Sequence, residues 1–117
     1  MSQYTMIVIG NKNLVSSSTR DAWERAGIEL QGPVLPPAFE MRLVHAAHGV
    51  LIDATEDADP MFRISEQLEA ASVPFLFVVT EQQGPECKGS YVLGPKPKHI
   101  KEIVEELLRQ YDSGVRH

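Results

Sequence analysis

Cysteine is nearly absent from this chain: Cys87 is the only one, and it stands in a polar stretch. A lone thiol excludes an internal disulfide framework and a cysteine-built zinc site, so the fold must be held by its own core. Long apolar runs are missing too. The longest, residues 6–9 and 73–79, fall far short of the roughly 20 residues that a helix needs to cross a bilayer. The N-terminus has no basic segment followed by an apolar export core, and a cytoplasmic protein is expected. A basic stripe is also lacking. Net charge is −5, and lysines and arginines are scattered except for Lys96, Lys98 and Lys101, which argues against a nucleic-acid partner. No internal repeat or low-complexity tract occurs.

What is present is the composition of an ordinary globule, 43% hydrophobic and 23% charged over 117 residues. That length closes one hydrophobic core but hardly two, so a single domain is expected over residues 1–111, with a flexible tail at 112–117. Apolar runs of strand length recur at residues 6–9, 50–52, 75–79 and 91–93, and they are continuous rather than alternating. Continuous runs predict strands buried on both faces, as in a parallel sheet.

Between the strands lie helical patterns. Ile100, Ile103, Val104, Leu107, Leu108 and Tyr111 form one stripe, the mark of a helix packed on a sheet, and Pro97 suits its first turn. Asp59–Pro60 predicts a second start, the Asp59 carboxylate capping a helix that carries Met61, Ile64, Leu68 and Ala71. Leu14, Val15, Ala22, Trp23 and Ala26 read as an earlier helix closed by Gly27, with Ser17 or Ser18 near its start. Phe39, Leu43, Ala46 and Ala47 read as another, closed by Gly49. A weak strand within residues 30–35 contains Gly32 and Pro33, and because proline cannot donate to a ladder this strand belongs at an edge. The pattern is therefore an α/β doubly wound five-stranded parallel sheet of order 2-1-3-4-5, the flavodoxin-like winding. Residues 81–89 are polar around Gly84–Pro85 and too few for a full helix, so the fourth helix is expected to be short or absent.

In such a sheet the working crevice lies outside the carboxyl ends of the strands. Reading the residues that end each run gives Gly10–Asn11, then Asp53, Thr80 and Lys96, so that an acid, a hydroxyl and an amine meet on one edge. This set resembles the receiver domain of two-component response regulators, whose third strand ends in a phosphoacceptor Asp, fourth in Ser or Thr, and fifth in a Lys-Pro pair. The resemblance extends over nearly the whole chain. It implies a signalling protein rather than an enzyme, in which Asp53 accepts a phosphoryl group, Thr80 hydrogen-bonds it and Lys96 offsets its charge. The chemistry is coherent, since phosphoryl transfer rests on positioning and charge neutralisation. Implied partners are a histidine kinase or phosphotransfer protein and a downstream protein target. With no output domain after Gln110, output is expected by protein contact. Residues 77–84, Phe-Val-Val-Thr-Glu-Gln-Gln-Gly, and Gly32-Pro33-Val34 are similar to α-proteobacterial receivers with a Phe-x-Thr-Gly-Tyr-like stretch, though Glu81 and Gln82 replace its glycine and aromatic. Tyr91 takes the place of the family's switching aromatic, at a longer offset from Lys96.

The main departure is at the first strand, where receivers carry a pair of acids that hold Mg²⁺ and this chain reads Gly10-Asn11-Lys12. Mg²⁺ in phosphoryl sites is held by one or two carboxylates with phosphate oxygens and water. Asp53 with Asn11 as a neutral ligand predicts a weak Mg²⁺ site or none, with Lys12 opposing it. That opens a second reading, a phosphorylation-independent pseudo-receiver that docks a protein. A third is a small flavin or anion binder on the same fold, suggested by the hydroxyl run at residues 16–19. Plainer readings accompany each residue. A strand-end Asp can simply cap the next helix, Thr80 is common turn chemistry, Lys96 can be a solvated loop charge, and the acidic run Glu56, Asp57, Asp59 reads as a solvated loop. Ser16 to Thr19 reads best as a helix cap, and the four histidines share no ligand spacing.

Overall fold

Three of the four continuous apolar runs become the inner strands of a parallel sheet, while the fourth, at residues 91–93, gives a short, half-buried edge strand. The computed structural model describes residues 4–44, 47–54, 58–80 and 91–115. Strands β1 (Tyr4–Ile9), β2 (Ile28–Val34), β3 (Gly49–Asp53), β4 (Phe75–Val79) and β5 (Tyr91–Val92) form one five-stranded sheet in the order β2-β1-β3-β4-β5, with every pairing parallel. Every residue of β3 is buried, as expected of a strand covered on both faces.

The weak strand is at the edge, where a proline is tolerated. Its pairing with β1 shifts between Ile7 and Ile9, opposite Gly32–Pro33. Gly32 has φ +106, and a Cβ there would lie 2.7 Å from the Val8 carbonyl oxygen, so only glycine fits the irregularity. The Arg20 guanidinium donates to the carbonyls of Leu30 and Gly32, the latter at 2.8 Å, and ties this strand to helix α1 (Ser17–Arg25).

Helix α1 is capped by Ser16, whose Oγ accepts from the Thr19 N–H at 3.1 Å. The cap is one residue earlier than expected, and Leu14 and Val15 precede the helix instead of opening it. Leu14 is nonetheless buried, because a turn with its N–H on the Asn11 carbonyl folds it into the core. Helix α2 (Ala58–Ala70) begins one residue before Asp59, which puts Asp59 in the first turn, where a carboxylate still favours the positive end of the helix, and not at the cap. Helix α3 (Pro97–Val115) continues past Tyr111, where its apolar stripe ends.

The connector between β2 and β3 corrects the sequence reading. The expected α-helix over Phe39, Leu43, Ala46 and Ala47 is replaced by two 3₁₀ turns, Pro36–Ala38 and Met41–Val44, and Gly49 is the first residue of β3 rather than a helix stop. The backbone bonds there run i to i−3, from Ala38 to Leu35, Leu43 to Glu40 and Ala47 to Val44. Pro36 and Pro37 have no N–H to give, so the segment starts with tight turns and never accumulates the i−4 ladder that nucleates an α-helix. The expected short fourth helix falls on residues 81–90, outside the described residues, as does Cys87.

The sheet separates two cores. On one face, α1 and α3 cover a cluster that includes Trp23, Met6, Leu51, Ile103 and Leu107. On the other, α2 and the 3₁₀ turns cover Ile7, Val50, Ile52, Ile64 and Leu68, with Phe75 and Phe77 partly buried against them. On the β5 side, β4 reaches its partner only at Val78 and Val79. Below that point the Gln110 side chain of α3 does the work of a strand: its amide donates to the Phe75 carbonyl, and its oxygen accepts the Phe75 N–H, each at 3.1 Å.

Candidate functional site

The topology brings the predicted strand ends to a common edge. Asp53 is the last residue of β3 and lies in register with Val78; Thr80 directly follows β4; and Leu93, whose N–H donates to the Val79 carbonyl at 2.8 Å, leads through Gly94 and Pro95 to Lys96. The three neighbouring strands therefore deliver an acid, a hydroxyl and an amine in that order. Thr80 is half-buried and Lys96 is exposed, whereas Asp53 retains only 2% of its surface.

The burial of Asp53 has a specific cause. Gly10, directly after β1, lies beside it, its N–H bonded to the Val34 carbonyl at 2.9 Å. A Cβ added at Gly10 would lie 2.8 Å from the Asp53 Cβ, 2.9 Å from a Leu14 methyl and 3.3 Å from Asp53 Oδ2. The Asp53 side chain therefore occupies the space that a side chain at position 10 would need.

Asn11, the other candidate ligand, is spent on its own loop. Its Oδ1 accepts the Asn13 N–H at 2.8 Å and its carbonyl accepts the Leu14 N–H at 3.1 Å, an Asx-type turn that leads the chain into α1. The donors described here thus amount to one buried carboxylate and one amide oxygen already accepting a bond. Mg²⁺ in phosphoryl sites keeps several waters around one or two accessible carboxylates. Among the described residues, no three His, Cys, Asp or Glu side chains converge on a point that would hold a metal.

A cleft of about 230 Å³ opens nearby, between the β1–α1 loop and the ends of β4 and β5; Thr80, Ser16, Thr19 and Gly94 are among its walls, and Asp53 is not. Two of its hydroxyls serve the helix start, since Ser16 Oγ and Thr19 Oγ1 bond each other at 3.0 Å. Behind the cleft the fully buried Trp23 donates from Nε1 to the Gly94 carbonyl at 3.2 Å. That bond fastens the loop leading to Lys96 onto α1. It joins residues far apart in sequence, and the only signal that pointed to it was a single tryptophan in an amphipathic helix.

Tyr91 packs against the α1–α3 core, and its hydroxyl reaches Glu106 of α3 at 3.5 Å; Glu106 also pairs with Arg109. Burial, and then the Glu106 charge, push the Tyr91 phenol above its ordinary value of 10.0. Of the histidines, His48 accepts the Thr5 N–H through Nδ1 at 3.1 Å and meets the Tyr4 ring edge-on, while His99 is half-buried on α3. His45, His117, Glu56 and Asp57 lie outside the described residues.

The fold is therefore α/β with the flavodoxin-like 2-1-3-4-5 winding. Among the described residues, no helix is long and apolar enough to cross a membrane. A scan against protein-family models matches none, and a search of curated proteins finds no match.

Proposed function

We propose that this protein is a receiver-like signalling module of the two-component type that acts in the cytoplasm by docking another protein, and that it does so without Mg²⁺-dependent phosphorylation of Asp53. The receiver-like part of the reading is supported by the order Asp53, Thr80, Lys96 at the ends of β3, β4 and the loop after β5. The phosphorylation-independent part rests on a single contact. Asp53 is packed against Gly10 at 2% exposure, in the space where the resemblance calls for a metal-holding acid.

Phosphoryl transfer to a carboxylate requires in-line access to one of its oxygens and neutralisation of the charge that builds on the transferred group. A buried Asp53 offers the first poorly. Lys96 supplies one positive charge for the second, and the described residues add no carboxylate with which to hold a metal. The same geometry suits a rigid scaffold, since a charge buried at a strand end, a fastened Lys96 loop and two packed faces hold one docking shape. Partners of the proposed module are a kinase or phosphotransfer protein on one side and a downstream protein on the other.

The deciding experiment is intact-protein mass spectrometry after incubation with a small phosphodonor and Mg²⁺, and again with a candidate histidine kinase. The expected result is no phosphoryl gain that depends on Asp53. A phosphoryl mass that appears in the natural protein and is lost in Asp53→Asn would instead support the first reading of the sequence, a phosphorelay protein with Asp53 as acceptor, which the placement of Thr80 and Lys96 favours.

A further inference from the structure

A second cavity lies away from the strand ends. It is a groove of about 490 Å³ between α1 and α3, on the outer side of the Trp23 core. Ala22 of α1 and Ala26, its C-cap, line it from one helix and Ile100 and Val104 of α3 from the other, together with Tyr4, Ile28, Pro95 and Pro97. The two alanines, one turn apart, leave open a space that larger side chains would fill.

Charge separates this groove from an ordinary gap between helices. The chain carries 16 acidic against 11 basic residues, yet Arg25 and Lys101 line the groove, and no acid does so among the described residues. Lys98 and Lys101, two members of the one basic cluster visible in the sequence, both fall near the start of α3, whose first turn has no acidic residue. Cations at a helix N-terminus oppose its dipole and act against stability, and such local costs accumulate where a site is being served. The apolar walls ask for a hydrocarbon and the rim for an anion. The volume falls within the roughly 300–1,000 Å³ of small-molecule sites.

We propose that the α1–α3 groove binds a small alkyl carboxylate, its chain lying along Ala22, Ala26, Ile100 and Val104 and its head group held by Arg25 and Lys101. The proposal is independent of the signalling reading above. It does place a ligand against Pro95 and Pro97, the two residues that flank Lys96.

The test is an NMR titration of the full chain with octanoate, with octan-1-ol, and with acetate. Octanoate is expected to give saturable shifts at Ala22, Ala26, Ile100 and Val104 and at the Trp23 indole N–H, with octanol and acetate each at least about tenfold weaker. Lys101→Glu, on the exposed side of α3, is expected to weaken octanoate by about tenfold, and Ala26→Leu, which fills the groove from an exposed position, to abolish the shifts. The proposal is overturned if octanoate does not saturate, or if octanol binds as well as octanoate. It also fails if Phe62 on the opposite face shifts in parallel, which would signal adsorption, or if the groove residues shift with protein concentration alone, which would mean a second copy occupies them.

Discussion

On one face of the sheet Trp23, Ile103 and Leu107 lie under α1 and α3 with at most 1% of their surface exposed; on the other, Phe75 and Phe77 stay half-buried and Phe62 of α2 is 64% exposed. The first face is closed by two α-helices, α1 burying Thr19 and Trp23 and α3 the apolar stripe of Ile100, Ile103 and Leu107. The second is closed, among the described residues, by one α-helix and two short 3₁₀ turns. A 3₁₀ turn brings fewer side chains over a given length of sheet than an α-helix does, and its i to i+3 side chains eclipse, so this face is covered less completely. Stability is thus expected to be concentrated on the α1–α3 face, and adaptability on the α2 face.

Four substitutions can break or sharpen that comparison. The largest effect is expected from Trp23→Ala, which removes the biggest fully buried side chain together with its bond to Gly94, at a cost of about 3–5 kcal/mol in denaturant unfolding. If it costs no more than the matching change on the other face, the asymmetry is wrong. That matching change is Leu68→Ala on α2, also fully buried, with an expected cost of about 2–3 kcal/mol because the half-covered Phe77 and Met61 can settle into the gap.

Next comes Gln110→Ala. It leaves the N–H and carbonyl of Phe75 without their side-chain partner at the open part of the β4 edge, and is expected to cost roughly 1 kcal/mol, with faster hydrogen exchange confined to the Phe75 amide. An unchanged Phe75 exchange rate would mean that the Gln110 bonds do not hold α3 to the sheet. The smallest effect is expected for Phe62→Ser, within about 0.5 kcal/mol by thermal or urea unfolding. A larger loss would show that Phe62 is covered in solution and that the second face is better closed than its exposure indicates.

The contrast between the faces also explains what could be read in advance. The α3 stripe was legible because its apolar residues recur at helical spacing, and Ile100, Ile103 and Leu107 are indeed buried, while Leu108 at the margin of the stripe is 38% exposed. Continuous runs identified the inner strands, and Pro33 identified the edge. In the connector to β3, Phe39, Leu43 and Ala47 are spaced four apart and imitate a helix, but Pro36 and Pro37 start the chain into tight turns. At the strand ends, sequence shows which residues finish each run, so the alignment of Asp53, Thr80 and the Lys96 loop could be foreseen. It does not show how two adjacent strands set their ends against each other. The seating of Asp53 on Gly10 depends on the β1–β3 register, and the clasp between Gln110 and Phe75 on the docking of α3; both are contacts between residues distant in the chain.

The seating of Asp53 on Gly10 also ties the two positions to each other. A Cβ at position 10 would arrive 2.8 Å from that of Asp53, an atom anchored to the backbone of a buried central strand. Any larger residue at position 10 therefore needs β1 to retreat or position 53 to change with it, so the ends of these two strands can vary only together.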